Sequence, residues 1–240
     1  MNVNDYFTYQ GLELELFSSA TNWKRYLLRI IGSYLGCDVL EVGAGIGAAT
    51  RVFCDGSQKR WLCIEPDKHQ AHVIYNACQK KLLPSCCKVR IGTITELPDK
   101  ERFDTILYVD VLEHIQNDGL EIANAASRLL PCGHLIVVCP AHQYLFSPFD
   151  KSIGHFRRYN QTSLLALMTS EIEIVKTMYI DSIGFFASLI NRLLLRTEIP
   201  SHLQIKIWDR IMVPITGIID LLINYTFGKS IVVIWKRKVK

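Results

Sequence analysis

The sequence lacks several features that would place it in a specialised class of protein. Although it contains eight cysteines among 240 residues, no two of them form the C-x-x-C pair that is typical of a zinc site. The polar residues after Met1 do not have the charged-then-apolar layout of a secretory leader. No apolar run reaches the roughly 20 residues that a membrane-spanning helix needs. We therefore expect reduced cysteines, no metal ion, no transmembrane helix and a cytoplasmic location.

An excess of charge of one sign is also nearly absent. The formal net charge is +4, and much of it lies in the last residues, from Trp235 to Lys240. So short a basic run does not predict nucleic-acid binding; we interpret it as a solvated tail, with a membrane-surface or phosphate patch as the alternative. Hydrophobic residues make up 49% of the chain and charged residues 21%. This balance is typical of one globular domain with a buried core.

Short, β-rich apolar runs alternate with helical stretches between residues 38 and 139. We predict strands at 38–42, 61–65, 87–91, 103–109 and 134–139. We predict helices between them at 47–54, 67–83 and 117–130, the last one ended by Pro131-Cys132-Gly133. The strands are apolar on both faces, so they should be parallel and buried, together with Cys37, Cys63, Cys87 and Cys139. The alternation predicts an α/β fold with a doubly wound sheet.

The flanking segments are mainly helical. A helix at 12–31 would bury a stripe of Leu16, Trp23, Tyr26, Leu27 and Ile30. A short helix at 161–169 and strands at 172–180 and 229–235 follow the core. Residues 181–228 are helical and apolar, and they would cover the site, rest on a membrane surface, pack on the core or form a homodimer contact. The expected parts of the domain are a helical cap at 1–36, a core at 37–180, a helical insertion at 181–228 and a last strand with a basic tail at 229–240.

A glycine-rich turn, E-V-G-A-G-I-G at residues 41–47, directly follows the first predicted strand. Glycines at such a turn let the backbone bend sharply and approach a ligand without a Cβ in the way. In a dinucleotide fingerprint the third glycine comes three positions after the second, whereas Gly47 comes two positions after Gly45. Glu65 ends the second strand, where it would accept hydrogen bonds from ribose hydroxyls or serve only as a charge at a helix N-terminus.

Three motifs in this order resemble class I S-adenosylmethionine-dependent methyltransferases. They are the glycine-rich turn, I-E-P-D at 64–67 and Y-V-D-V-L-E-H-I at 108–115. The resemblance covers roughly residues 38–140. It is similar to the small-molecule branch that shares D-V-L-E-H with ubiquinone-pathway O-methyltransferases, and the loop after the fifth strand is similar to enzymes of glycan and lipid biosynthesis. The resemblance implies a Rossmann-like seven-stranded sheet with an antiparallel last strand, and S-adenosylmethionine as the cofactor.

The resemblance also implies which residues contact that cofactor. The glycine-rich turn would hold the amino-acid part, Glu65 the ribose, and residues 92–94 the adenine, although this family often has Asp at the position of Thr93. The end of the fourth strand would face the methionine part. The implied cofactor-binding residues are Glu41, Gly43, Ala44, Gly45, Gly47, Glu65, Pro66, Gly92, Thr93, Ile94, Asp110 and Val111.

Methyl transfer from a sulfonium is an in-line displacement, which needs alignment and, for an oxygen or nitrogen acceptor, a base. His114 is the first candidate for this base, and the alternative is a histidine that only shapes the pocket. The loop after the fifth strand adds His142 and His155 as candidate catalytic residues. Arg157, Arg158 and Tyr159 in the same loop would bind an anionic group of the acceptor, or the arginines would pair with acids such as Asp150.

Two other functions use the same features. An NAD-dependent oxidoreductase is disfavoured by the glycine spacing and by the absence of a Y-x-x-x-K pair, since Pro148 and Ser163 lie four positions after Tyr144 and Tyr159. A non-catalytic binding module with this fold is the second alternative, because no residue on the acceptor side has a role that its position alone forces.

Overall fold

The computed structural model describes residues 13–190 and 200–239, and seven of the described segments form one mixed sheet. Its order is β3-β2-β1-β4-β5-β7-β6, and only β7 runs antiparallel to its neighbours. The predicted fold class is confirmed, including the antiparallel last strand. The strands are β1 Asp38–Val42, β2 Arg60–Glu65, β3 Cys87–Ile91, β4 Phe103–Val109, β5 Leu129–Pro140, β6 Ile172–Ile180 and β7 Ser230–Arg237.

Helices cover both faces of this sheet. Leu12 and residues 191–199, which belong to the predicted first helix and the insertion, lie outside the described residues, as does Lys240. A π-helical turn at Trp208–Met212 joins α9 to α10, so that residues 202–222 run as one helical segment. The helices are α1 Glu13–Ser18, α2 Thr21–Ile31, α3 Thr50–Phe53, α4 Lys68–Gln79, α5 Asp118–Ser127, α6 Pro148–Ser152, α7 Gln161–Leu165, α8 Ser182–Ile190, α9 His202–Ile207 and α10 Val213–Leu222.

The sheet is buried on both faces because its central strands are apolar at successive positions. One core layer packs under α1, α2 and the insertion and includes Leu27, Trp61 and Val213. The other packs under α5 and α7 and includes Tyr108 and Trp235. Alternate residues of one strand serve opposite layers, as the pleat requires. A contiguous core on each side places the strand ends rigidly.

Several predicted boundaries were wrong, each for a local reason. The first helix divides into α1 and α2, where the hydroxyls of Ser18 and Ser19 bond the carbonyls three residues back. The predicted helix at 47–54 reduces to α3, since Gly47 has a φ of +75°. The segment 131–133 does not end a helix: α5 ends at Ser127, and 131–133 is an irregular part of β5 where Gly133 lies against the Asp104 carbonyl.

Some side-chain predictions need correction as well. Cys37 is exposed and precedes β1, whereas the other three cysteines predicted in strands are buried, and all eight are free thiols. Ile30 is only half-buried, and Ile31 takes its place in the core. The basic tail is partly structural, because Arg237 ends β7 and bonds the Ala126 carbonyl.

Two buried aspartates anchor the insertion to the rest of the domain. Asp209 accepts hydrogen bonds from the backbone N–H of Trp23, at 2.9 Å, and of Asn22, at the start of α2. Asp220 accepts from the Tyr26 hydroxyl and from the backbone N–H groups of Asp181 and Ser182. The first N–H groups of a helix have no intrahelical partner, so these carboxylates satisfy donors that would otherwise be buried and unpaired.

We expect Asp220→Ala to lower the free energy of unfolding by about 3 kcal/mol, because it leaves two backbone donors and the Tyr26 hydroxyl without their shared acceptor. Urea denaturation measures this loss. Asp99→Ala, at an exposed position, is the control and should change stability by less than about 0.5 kcal/mol. Equal effects of the two substitutions would contradict an anchoring role.

Candidate functional site

The carboxyl ends of β1, β2, β4 and β5 meet at one edge of the sheet. The strand order reverses between β1 and β4, and open α/β sheets bind ligands at such a point. The loops that leave this edge contain almost all residues that the sequence analysis singled out. The edge is therefore the candidate functional site.

The glycine-rich turn after β1 has a backbone that side chains would disrupt. Gly43, Gly45 and Gly47 have φ values of +64°, +57° and +75°, a region that favours glycine. A Cβ on Gly43 would lie 2.7 Å from Val111, at the end of β4, and one on Gly47 would lie 3.0 Å from Ile74 of α4. Ala44 is buried within the turn. The turn is thus held tightly between two neighbouring elements.

Glu65 joins the glycine-rich turn to the end of β2. One carboxylate oxygen accepts from the Gly45 N–H at 2.8 Å, and the other accepts from the Asp67 N–H at 2.9 Å. Burial raises the pKa of Glu65, and these two hydrogen bonds oppose that shift. A carboxylate has about four acceptor positions, so two remain for ligand hydroxyls. Asp67, rather than Glu65, caps α4.

The described contacts of the Glu41 carboxylate lie within the protein, and its predicted contact with the cofactor stays a prediction. Its carboxylate lies inside the core and accepts from the Thr50 hydroxyl at 2.7 Å and the Trp61 indole N–H at 2.8 Å. These bonds connect β1 to β2 and to the start of α3. Glu41 therefore positions the glycine-rich turn from behind. Burial raises its pKa to about 7, although the hydrogen bonds from Thr50 and Trp61 act in the opposite direction.

The turn after β3 contains the residues predicted to frame an adenine. Gly92 and Thr93 lie in this turn, and the Thr93 N–H donates to Glu96 at 2.6 Å. Ile94 is completely buried, so its side chain belongs to the core and only its backbone faces the turn. Pro66 is half-buried across from them at the end of β2. The Glu96 carboxylate is exposed beside Gly92 and accepts from both the N–H and the hydroxyl of Thr93.

Asp110 follows β4 in a left-handed conformation, with a φ of +54°. Its side chain is accessible from the cleft, yet protein surrounds it on most sides, and this desolvation raises its pKa while the charges of His155, Lys229 and Lys24 lower it. Lys24 of α2 donates to the carbonyls of Phe17 and Ala20, and burial lowers its pKa to about 8. The nearby positive charges thus favour the ionised carboxylate against this desolvation, as suits a group that binds a cationic α-amino group.

His114, His155 and Glu113 form a cluster beneath this edge. The two imidazole rings make an edge-to-face contact at 4.5 Å, and His155 Nε2 lies 3.7 Å from a Glu113 oxygen. Burial lowers the pKa of His114 to about 3, which makes it a weak base and favours the alternative that it shapes the pocket. Glu113 is fully buried and its oxygens have no hydrogen-bond partner among the described residues.

The same cluster bears on metal binding. Glu113, His114 and His155 each offer a ligand atom, and these atoms lie within 4.8 Å of one another. Carboxylate and imidazole groups are ligands of divalent transition metals. The absence of a C-x-x-C pair from the sequence does not exclude a metal site of these three residues, because the fold brings His155 next to Glu113 and His114. The predicted absence of a metal ion stays a prediction.

Arg157, Arg158 and Tyr159 are committed to contacts within the protein. Arg158 is buried and makes a bidentate ion pair with Asp150, at 2.8 and 2.9 Å. Arg157 pairs with Asp118, which also accepts from the buried Tyr159 hydroxyl. The alternative that the arginines pair with acids therefore describes this loop, and the predicted anion clamp does not. His155 also contacts Asp150, at 3.0 Å, and is part of the same network.

His142 follows β5 and lies among aromatic rings. It has a φ of +66°, stacks on Tyr179 at 5.0 Å and contacts Tyr144 and Phe185. Burial lowers its pKa, whereas a hydrogen bond with the Gly228 backbone raises it. Nε2 is buried and has no hydrogen-bond partner among the described residues.

Several residues of this site were not predicted from the sequence. Glu113 lies within D-V-L-E-H, but a motif does not show which carboxylate is buried. Lys24 comes from α2, far from the motifs in sequence. The aromatic residues around His142 lie in the loop after β5, in β6, in α8 and in the segment after α10, and apart from the loop itself the F-F pair at 185–186 was the one signal that pointed to them. These residues are Tyr144, Tyr179, Phe185, Phe186 and Phe227, which we call the aromatic cluster.

Comparison with known proteins identifies this fold and its core. Residues 39–133 match the family model described as a methyltransferase domain. The demethylmenaquinone methyltransferase of Tropheryma whipplei (strain Twist) is 31% identical over 157 residues, which make up 65% of this chain and 62% of that protein. The match thus spans less than two thirds of that relative.

Solved structures share the fold at low sequence identity. Coclaurine N-methyltransferase bound to N-methylheliamine and S-adenosylhomocysteine superposes with a TM-score of 0.62 and 15% identity, over 97% of this chain and 76% of that one. N-methyltransferase NodS from Bradyrhizobium japonicum WM9, in complex with S-adenosylhomocysteine, has a TM-score of 0.58 and 17% identity, over 95% and 97% of the two chains. The sequence-based resemblance is confirmed.

The burial of Glu41 predicts a pH dependence of stability. Its pKa is raised from 4.5 to about 7 in the folded protein, so the unfolded chain ionises first as the pH rises. The stabilising contribution is complete below pH 4.5 and is lost by about pH 7. In the wild type, the free energy of unfolding should therefore fall by about 3 kcal/mol between pH 5 and pH 8 because of Glu41. We expect this decrease to be absent in Glu41→Gln, as measured by urea denaturation at the two pH values. Glu173→Gln, on an exposed part of β6, is the control, and parallel pH profiles of wild type and Glu41→Gln would contradict this assignment.

Proposed function

From the premise that residues 39–133 form a methyltransferase domain on a class I sheet, we propose that the chain binds S-adenosylmethionine and transfers its methyl group to a small-molecule acceptor. The observation that supports this most directly is the contact between Glu65 and the glycine-rich turn. It places a carboxylate with free acceptor positions beside a backbone that has no Cβ in the way.

The residues around the edge fit the parts of this cofactor. Glu65 would accept from the ribose hydroxyls, and Pro66 with the turn at Gly92 and Thr93 would enclose the adenine. Glu96 would then accept from the adenine amine in place of the missing Asp. Asp110 would hold the α-amino group, because its carboxylate lies at the end of β4 next to the glycine-rich turn. When bound, the sulfonium supplies an activated methyl group for in-line displacement.

The chain's own contribution to the reaction is alignment and proton removal. The ends of β4 and β5 flank the edge, so an acceptor seated between Asp110 and the aromatic cluster would lie beside the cofactor site. The imidazole of His142 would accept the proton of the attacking oxygen or nitrogen. His155, oriented by Asp150, is a second candidate base, and His114 contributes as a pocket wall.

The aromatic cluster also favours an apolar acceptor over an anionic one. Tyr144 and Phe186 are about half-exposed at its rim, whereas the guanidinium groups of Arg157 and Arg158 are occupied by carboxylates. Aromatic side chains provide apolar contact area for a ring or a hydrocarbon chain. We therefore favour an acceptor with an O–H or N–H group on an apolar body, including a lipid-linked molecule.

The location and assembly of the protein are parts of the same proposal. Eight free thiols fit a reducing compartment such as the cytoplasm. Among the described residues no helix is long and apolar enough to cross a bilayer. A homodimer stays a prediction, which analytical ultracentrifugation tests.

We expect S-adenosylhomocysteine to bind with micromolar affinity in titration calorimetry and Glu65→Ala to weaken this binding ten- to a hundredfold, because it removes a buried charged acceptor. Glu173→Ala is the control and should bind as wild type does. NAD, tested in parallel, should not bind. Tighter binding of NAD, or no binding of either ligand to folded protein, would refute the cofactor assignment.

We expect His142→Asn to lower kcat by 10²- to 10⁴-fold on any acceptor found in a screen of apolar phenols and amines, with unchanged affinity for S-adenosylhomocysteine. Asn tolerates the positive φ at this position but is not a base. Since burial lowers the pKa of His142, the acidic limb of the wild-type pH profile should lie below pH 6.5 and disappear in the variant. An unaltered profile would assign proton removal to another group, and binding without turnover would favour the non-catalytic module.

A further inference from the structure

The helical segment 202–222 presents an apolar face to the outside of the protein. Six residues spaced by four, four, four, three and four positions form one face of a helix. Each is exposed, from 44% for Ile207 to 79% for Leu222. We call these residues the outer stripe: Leu203, Ile207, Ile211, Ile215, Ile218 and Leu222. An exposed apolar stripe of this extent marks an interaction surface.

Buried polar side chains on the opposite face of the same segment fix the orientation in which the outer stripe faces outward. Asp209 and Asp220 are buried and hydrogen-bonded to backbone groups of α2 and of the start of α8. Thr216, also buried, donates to Asp181. Rotating the helix to bury the outer stripe would break the hydrogen bonds that Asp209 and Asp220 accept and would expose both carboxylates. The apolar residues of the stripe therefore cannot pack against the core of the protein.

The exposed charges of the helical segment itself have one sign. Between residues 202 and 222 both carboxylates are buried, whereas Lys206 and Arg210 are exposed. Arg29 of α2 adds a third cation, with its guanidinium next to Gly217 of α10. An apolar face bordered by Lys and Arg is typical of a helix that lies in the interface of an anionic membrane.

We propose that the outer stripe docks the protein on an anionic lipid bilayer, with the helical segment parallel to the membrane plane. No described helix is long and apolar enough to span the bilayer, so the contact is peripheral. Docking itself does not depend on the proposed methyl transfer.

Docking through the outer stripe would also place the acceptor side of the site next to the membrane. This second inference rests on the proposed function. Helix α8 packs against α10 and exposes Phe186 and Ile190. Phe186 belongs to the aromatic cluster, which reaches His142 through Phe185. Apolar surface therefore continues from the outer stripe towards the acceptor side, as suits an acceptor that is delivered from the bilayer.

A second copy of the chain is a poorer occupant of this face. In a two-fold symmetric dimer the same patch meets itself, so an interface on the outer stripe would contain the cations of both copies and no exposed carboxylate of the helical segment. Like charges brought together in an apolar interface oppose association. Anionic lipid headgroups instead complement these side chains.

The test is co-sedimentation of the full chain with vesicles of phosphatidylcholine alone and of phosphatidylcholine mixed with phosphatidylglycerol. We expect binding to the mixed vesicles to be at least tenfold stronger, and to weaken at high salt. Ile211→Glu/Ile218→Glu should lower it at least tenfold, because two carboxylates then enter the apolar face. Lys206→Gln/Arg210→Gln should lower it by about fivefold per charge on the mixed vesicles only.

Leu82→Glu/Leu120→Glu is the matched control, since both leucines are similarly exposed on other surfaces; it should bind vesicles as wild type does. S-adenosylhomocysteine affinity of each variant reports folding and tests the cofactor assignment separately. Equal binding of wild type and Ile211→Glu/Ile218→Glu would overturn the proposal. So would ultracentrifugation that shows a vesicle-free dimer which this substitution dissociates, because the outer stripe would then be a dimer interface.

Discussion

The candidate site depends on one steric constraint: the chain after β1 must pass between the end of β4 and the end of β2. Val111 lies where a Cβ of Gly43 would be, and Glu65 holds the Gly45 N–H from the other side. Glycine is favoured along this path because all three positions have positive φ, and at Gly43 and Gly47 close neighbours also leave little room for a Cβ. Once the turn is confined in this way, the groups that follow β1, β2, β4 and β5 face one cleft.

Three carboxyl groups around that cleft differ in how far they are buried. Asp110 opens into it, whereas Glu41 lies behind the turn and Glu113 lies beneath the edge. Burial raises the pKa of all three carboxyl groups, so each is easier to keep neutral than an exposed acid. The three acids differ in what they contact: Asp110 is available to a ligand, Glu41 accepts hydrogen bonds that hold the scaffold, and Glu113 has no hydrogen-bond partner among the described residues.

The insertion reverses the usual arrangement of an amphipathic helix. Its acids face inward, where they replace missing backbone partners of α2 and α8, and its isoleucines and leucines face outward. The hydrogen bonds that the buried carboxylates accept offset the free-energy cost of burying them. In the proposed docked state, the insertion would lie between the acceptor side of the site and the bilayer.

The sequence by itself determined the sheet and the cofactor edge. Periodic apolar runs predicted the bounds of β1, β3, β4 and β6 to the residue, and the glycine-rich turn with Glu65 predicted the edge, because these signals are local and depend on backbone geometry. Only the tertiary structure decided what each polar side chain does. Glu41 and Arg158 turned inward, Tyr159 became buried, and Glu113 and Lys24 joined the site. Such roles depend on which distant groups share a buried volume, and sequence spacing does not encode this information.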